Sequence, residues 1–246
     1  MIRKFNKNIV YYQSEKLLTQ NRIQHFFSTR EGGFDELETV SDIFDIPLSK
    51  IIVPVQTHSN NIAIITSDNL NLKHTDTDAL ITSEEGIFIA VKTADCTPVL
   101  LFDPIEEVVA AIHSGWRGTV QNITGKTIAT LTGHFRSKPE NILAAIGPCI
   151  GQSNYEVGPE VIALFQKQFS NTSTILNFND CANGKAKLNL RTAIYFQLLK
   201  ACILPANIEN TDICTFDNCE DFYSARREGS ETGRMINGIQ LKKTNR

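Results

Sequence analysis

The chain is short of several features that would assign it to a class at once. No window approaches the ~18 apolar residues of a membrane-spanning helix, because charges and polar runs such as Gln56 to Asn61 interrupt every candidate. No Ser-, Gly- or Pro-rich linker, low-complexity tract or fixed-period repeat divides the 246 residues, so modular and solenoid architectures are excluded. Cations are not in excess. Twenty-four Lys and Arg against 27 Asp and Glu leave a net charge of −3, which argues against a phosphate-neutralising nucleic-acid surface. The amino terminus, MIRKFNKNIVYYQ, carries early cations without the apolar core of a secretory signal, so the sequence predicts a cytoplasmic protein. In that setting Cys96, Cys149, Cys181, Cys202, Cys214 and Cys219 read as reduced thiols rather than three disulfides.

What is present is enough apolar residue for a core. Hydrophobic residues make up 41% and charged residues 21%, which excludes disorder and coiled coil. The length suits one domain spanning residues 1–246, able to bury roughly 70–75% of its unfolded surface without a metal or disulfide. Gly86–Val91, Val99–Phe102 and Val108–Ile112 read as strands. The last two are joined by the turn-like Asp103-Pro104-Ile105-Glu106-Glu107 into an antiparallel hairpin. Ile142–Ile146, ended by Gly147-Pro148, reads as a further buried strand.

Helical spacing predicts three helices: Val120–Leu131 with Thr119 as N-cap, one from Pro159 through Phe169, and Leu190–Ile203. In the third, Leu190, Ile194, Leu198 and Cys202 form one stripe, which places Cys202 in the core. Strands joined by short turns outnumber helices, so the expected class is α+β, one domain with mixed β-sheets flanked by helices. His25, His74 and His134 lie in polar or loop-like surroundings and are expected at the surface.

Chemistry concentrates in Thr93 to Gly118. Asp95-Cys96 follows one apolar run and His113 closes the return arm of the hairpin, so thiol and imidazole are expected at one sheet edge. Upstream, His58 follows another β-branched run, Ile51 to Val55. A His58, Cys96, His113 set suits Zn²⁺ and leaves a fourth tetrahedral position open, as in catalytic sites. Two other readings remain open from the residues alone. One makes Cys96 a small buried hydrophobe with locally bonded histidines, and the other makes it a nucleophile with His113 as its base.

His113-Ser114-Gly115-Trp116-Arg117-Gly118-Thr119 then enters a helix, where Arg117 is a candidate phosphate cation. Gly125-Lys126-Thr127 looks like the tail of a P-loop, but the required first glycine falls on Val120. Arg30 in a Gly-ended turn is a second candidate anion ligand, and Arg226-Arg227 fits either a phosphate clamp or a solvated turn. Cys214 and Cys219 read as structural.

Several motifs then occur in fixed order: Ser28-Thr29-Arg30 with Gly32-Gly33, Gln56-Thr57-His58, Asp78-Ala79-Leu80-Ile81-Thr82, Ala94-Asp95-Cys96-Thr97-Pro98-Val99, His113-Ser114-Gly115-Trp116-Arg117-Gly118 and Gly147-Pro148-Cys149-Ile150. Phe222-Tyr223-Ser224-Ala225-Arg226-Arg227 and Thr232-Gly233-Arg234 close the series. Together they resemble the laccase-domain family, labelled multicopper polyphenol oxidoreductases and also described as purine nucleoside phosphorylases. The resemblance implies an architecture related to toxin-type cysteine hydrolases and a metal set, zinc with copper possible, on His58, Cys96 and His113. It implies catalysis by the same three residues, with Arg30, Gln56, Arg117 and Cys149 binding substrate. The implied activity is phosphorolysis of adenosine, inosine and methylthioadenosine with adenosine deamination beside it, so purine nucleosides and phosphate are the expected partners. Ala225 departs from the pattern, standing where an aromatic residue is expected.

Two other enzyme classes compete. A copper polyphenol oxidase needs several coppers held mainly by imidazole, and five histidines in all fall short of that. A cell-wall-editing amidase or cysteine hydrolase would use the same site on an amide.

Overall fold

In the computed structural model, residues 1–7, 9–31, 37–179 and 181–244 are described. Gly32 and Gly33 of the first motif lie outside them. The architecture is α+β, as the strand-rich pattern predicts, and consists of four layers. One six-stranded sheet runs in the order Ile2–Asn6, Ile9–Gln13, Ile23–Ser28, Met235–Leu241, Phe88–Thr93, Ile51–Ile52. The other runs Ile208–Asn210, Leu143–Ile146, Thr97–Asp103, Val108–Ser114, Ala79–Thr82, Ile62–Ile64. Both mix parallel and antiparallel pairs. The strand expected at Gly86–Val91 is found at Phe88–Thr93, in the opposite sheet from the hairpin it precedes.

The alternation of side chains explains the layering. Leu100, Phe102, Val109 and Ala111 pack against Ile89, Val91, Ile239 and Leu241 of the facing sheet. Their neighbours Val99, Leu101, Ala110 and Ile112 turn the other way, onto Ile123, Leu131, Phe165 and Ile194 from the helices. The hairpin is therefore buried on both faces, which is why its strands read as continuous apolar runs rather than alternating ones. The outer face of the first sheet is covered by the helix Leu37–Phe44, with Phe26 between Phe44 and Phe88.

Four features differ from what the sequence predicts. The helix placed at Val120–Leu131 is two helices, Trp116–Val120 and Ile123–Phe135, broken at Asn122 with φ +60°. Thr119 is not a cap. It is buried in the first of these helices, and its hydroxyl lies 2.9 Å from both Ser114 Oγ and the Gly115 carbonyl. Cys202 is exposed, because the third helix stops at Lys200 and the chain turns through φ +66° at Cys202, carrying it off the buried stripe. His25 is buried rather than superficial, on a strand covered on both faces.

His25 Nε2 accepts the Ser14 N–H at 3.0 Å, which selects the neutral ring. Burial pushes its pKa down to about 4, with Glu209 opposing. The unfolded chain protonates this histidine near 6.5, so stability is fully present above that pH and is lost as pH falls toward 4. The loss attributable to His25 is about 2–3 kcal/mol. Urea midpoints at pH 7 and 4.5 test this. His25→Gln is expected to flatten the difference, and an unchanged pH slope would refute the assignment.

Candidate active site

The hairpin register sets the site. Thr97 pairs with Ser114 and Pro98 with His113, so Cys96, just before the first strand, and His113, near the end of the second, meet at one sheet edge. His58 arrives from the loop after Ile51–Ile52. A backbone clasp holds that loop: Gln56 Nε2 donates to the Lys92 carbonyl at 2.8 Å and Gln56 Oε1 accepts the Lys92 N–H at 2.7 Å. The ligating atoms of His58, Cys96 and His113 lie within 4.8 Å of one another. Cys96 Sγ and His58 Nε2 are 3.8 Å apart. Bonds of ~2.0–2.3 Å to a tetrahedral ion place neighbouring donors roughly 3.5 Å apart, close to that spacing.

Asp78 organises the three. His113 Nδ1 lies 2.6 Å from its Oδ1, which leaves Nε2 for an ion in the carboxylate–histidine arrangement common to metal sites. The same carboxylate accepts the backbone N–H groups of Thr57, His58 and Ser59 and the Ser59 hydroxyl. One buried side chain thus fixes the His113 ring and the His58 loop together. Burial alone would raise its pKa, but the His113 and Ser59 bonds outweigh this and hold Asp78 at about 2. Burial would likewise raise the Cys96 thiol, yet the His113 charge and then His58 bring it down to about 6. His113 moves the opposite way, raised by Cys96 and Asp78 against its burial. A soft thiolate beside oriented imidazoles is a donor set suited to zinc or copper.

Backbone shape serves the same end. His58 and Asp95 have φ of +62° and +84°, conformations that non-glycine residues adopt at a cost and that are held in place by tertiary bonds. Asp95 supplies such bonds, accepting from the Thr215 and Ser224 hydroxyls and the Arg226 N–H. A Cβ on Gly115 would stand 2.8 Å from Cys96 Sγ and 3.1 Å from His58 Cδ2. Gly115→Ala is therefore expected to displace the thiol. The cost is up to about a hundredfold in turnover, as for ~1 Å errors in positioning, together with weaker metal retention. Retention and rates equal to the parent would contradict this packing.

The three donors open into a cleft of about 590 Å³, within the range of small-molecule sites. Pro54, Ile150, Tyr155 and Ala225 give it an apolar wall. Of the residues expected to bind substrate, Gln56 lines the cleft, although both of its amide atoms are engaged with Lys92. The other three do not line it. Arg30 is held by Glu228 at 2.8 Å and the Cys219 carbonyl at 2.9 Å. Arg117 is exposed and lies over the Trp116 ring at 4.4 Å. Cys149 is fully buried one residue before Ile150, with Arg191 Nη2 3.7 Å from its sulfur. Lys92 and Tyr155 stand in no sequence motif, and Asp78 and Arg234 stand in the motif series without an assigned role. Only Asp78, opening a buried strand as a charged residue, carried a local signal.

An α+β domain with a His₂Cys set in the wall of a cleft of small-molecule size defines a candidate metalloenzyme. Residues 34–242 match the family described as multi-copper polyphenol oxidoreductase laccase, and the chain belongs to it. A purine nucleoside phosphorylase of Bacteroides thetaiotaomicron is 33% identical, over 97% of this chain and 98% of that protein. Adenosine deaminase RL5, from an unknown prokaryotic organism, is 37% identical over 80% of this chain and 77% of its own length. The fold matches crystalline YlmD of Geobacillus stearothermophilus with a TM-score of 0.88 and 23% identity, over 98% of this chain and 99% of that one.

Proposed function

We propose that this chain, as a single catalytic domain, is a zinc-dependent enzyme of purine nucleosides. It cleaves adenosine, inosine and methylthioadenosine with phosphate and deaminates adenosine as a side activity. The observation that carries the reading is the convergence of His58, Cys96 and His113 in the cleft wall, in a chain similar along its length to a protein named for nucleoside phosphorolysis. In that reaction a phosphate oxygen bonds to the sugar C1′ and the C1′–N bond breaks. The electron pair leaves with the base, which takes up a proton. A bound zinc ion supplies Lewis-acid stabilisation of developing negative charge. Asp78 keeps His113 in the ligating tautomer, and Tyr155 offers an aromatic face for a purine on the wall where Ala225 offers none.

Among the described residues the His/Cys/His group is the one cluster of its kind, which suits one ion rather than the several of a multicopper oxidase. Copper is accommodated by the same donors. Six free thiols fit the reducing cytoplasm, and among the described residues no helix is long and apolar enough to cross a membrane.

A second reading has one observation behind it: Cys96, His113 and Asp78 line up as nucleophile, base and orienting acid. His58 has no part in such a triad, whereas metal ligation uses all three donors. Chromatography of adenosine, inosine and methylthioadenosine incubated with zinc-loaded protein tests the proposal. Free base and ribose 1-phosphate (or its methylthio analogue) are expected only with phosphate, and inosine from adenosine without it. Chelated protein is expected to do neither. Absence of any nucleoside turnover by the loaded protein would overturn the reading, and amide hydrolysis surviving chelation would favour the triad.

A further inference from the structure

Among the described residues, three cations line the cleft without an ion pair to a carboxylate, although the Glu156 side chain lies close enough to feel the charge of Arg226. Arg3, Arg22, Arg30, Arg191 and Arg227 each pair with an acidic side chain. Arg226 and Arg234, which line the cleft, are anchored among the described residues by backbone carbonyls instead. Arg226 Nη1 donates to the Glu156 carbonyl at 3.0 Å and its guanidinium lies 5.1 Å from the Tyr155 ring centroid. Arg234 donates to the carbonyls of Ser230 at 2.7 Å, Gly233 at 3.1 Å and Thr232. Lys92 lines the same cleft with its backbone clasped by Gln56, and no ion pair engages its ammonium among the described residues.

Neutral anchors fix the direction of a guanidinium without cancelling its charge. The acidic side chain in the lining is Asp95, whose oxygens already accept from Thr215, Ser224 and the Arg226 N–H. Two oriented planar forks and one ammonium, gathered in a concave site, favour a multiply charged oxyanion.

We propose that Lys92, Arg226 and Arg234 form the phosphate end of the cleft. There they hold the orthophosphate dianion that the proposed phosphorolysis consumes, a role that rests on that reading of the site. The assignment replaces Arg30 and Arg117, whose side chains are engaged outside the lining.

The test is titration of the zinc-loaded protein with inorganic phosphate by calorimetry, paired with the phosphate KM of adenosine cleavage. AMP, with its phosphate on the ribose, is a second probe that separates a phosphate ester from the free ion. Arg226→Gln and Arg234→Gln are each expected to weaken phosphate binding and raise the phosphate KM roughly tenfold, the size of one charge-assisted hydrogen bond. Because Arg234 also braces a loop, Lys92→Gln, whose ammonium makes no ion pair among the described residues, is expected to fold and to shift both quantities the same way. Lys126→Gln, an exposed helix residue outside the cleft, is expected to bind phosphate as the parent does. Unchanged phosphate binding in all three cleft variants would overturn the proposal, as would binding of AMP without orthophosphate. Phosphate binding lost in the variants, with no nucleoside turnover in the parent, would uphold the anion site and overturn the phosphorylase reading.

Discussion

Cys96→Ala is expected to lose its metal and its nucleoside turnover together. Two imidazoles fall short of the three protein ligands usual in a catalytic zinc site, and the thiolate is the donor that both histidines face. Loss of the loaded protein's activity should reach the detection limit, with zinc after dialysis below about one-tenth of an equivalent, an order-of-magnitude expectation for an incomplete ligand set. The fold should persist, since Cys96 stands at the mouth of the hairpin and not within its packed faces. Metal content and circular dichroism measured on the same sample separate these effects. A variant that keeps stoichiometric zinc yet loses turnover would instead point to Cys96 as a nucleophile.

Asp78→Asn should give the second largest effect. The substitution keeps the side chain's shape but removes the charge that orients His113 and gathers three N–H groups of the His58 loop. An amide nitrogen must then face some of those donors. Loss of such an outer partner costs ~10–100-fold in metal affinity, and breaking a buried charge pair costs about 3–5 kcal/mol of stability. A competition titration with a chromophoric chelator and a urea melt of the apoprotein read the two losses separately. Parent-like values in both would remove Asp78 from the site's architecture.

The convergence of His58, Cys96 and His113 was legible because each lies at or just beyond the end of an apolar run, and strand ends are where a buried sheet releases polar side chains. Asp78 shows in the sequence only as a charged residue opening a buried strand, and its role does not, since its work consists of contacts 19 to 35 residues away in sequence. Arginines were the least legible. Arg30 and Arg226 both occupy turn-like segments, and only the fold shows that Glu228 neutralises the first while the Glu156 carbonyl steers the second. Cys202 continued a four-residue stripe that the helix does not follow past Lys200, because periodicity does not report where a chain enters a left-handed turn. His25 was obscured for the reverse reason: a strand buried on both sides shows no alternation to mark its polar residue as covered.

His58, Cys96 and His113 are expected to hold one ion together. X-ray absorption at the zinc edge of the stoichiometrically loaded protein tests it without reference to any substrate. The account requires one sulfur at ~2.3 Å and two imidazole nitrogens at ~2.0–2.1 Å, with a light atom completing the shell. A shell of oxygen and nitrogen alone, or two sulfurs, would contradict it.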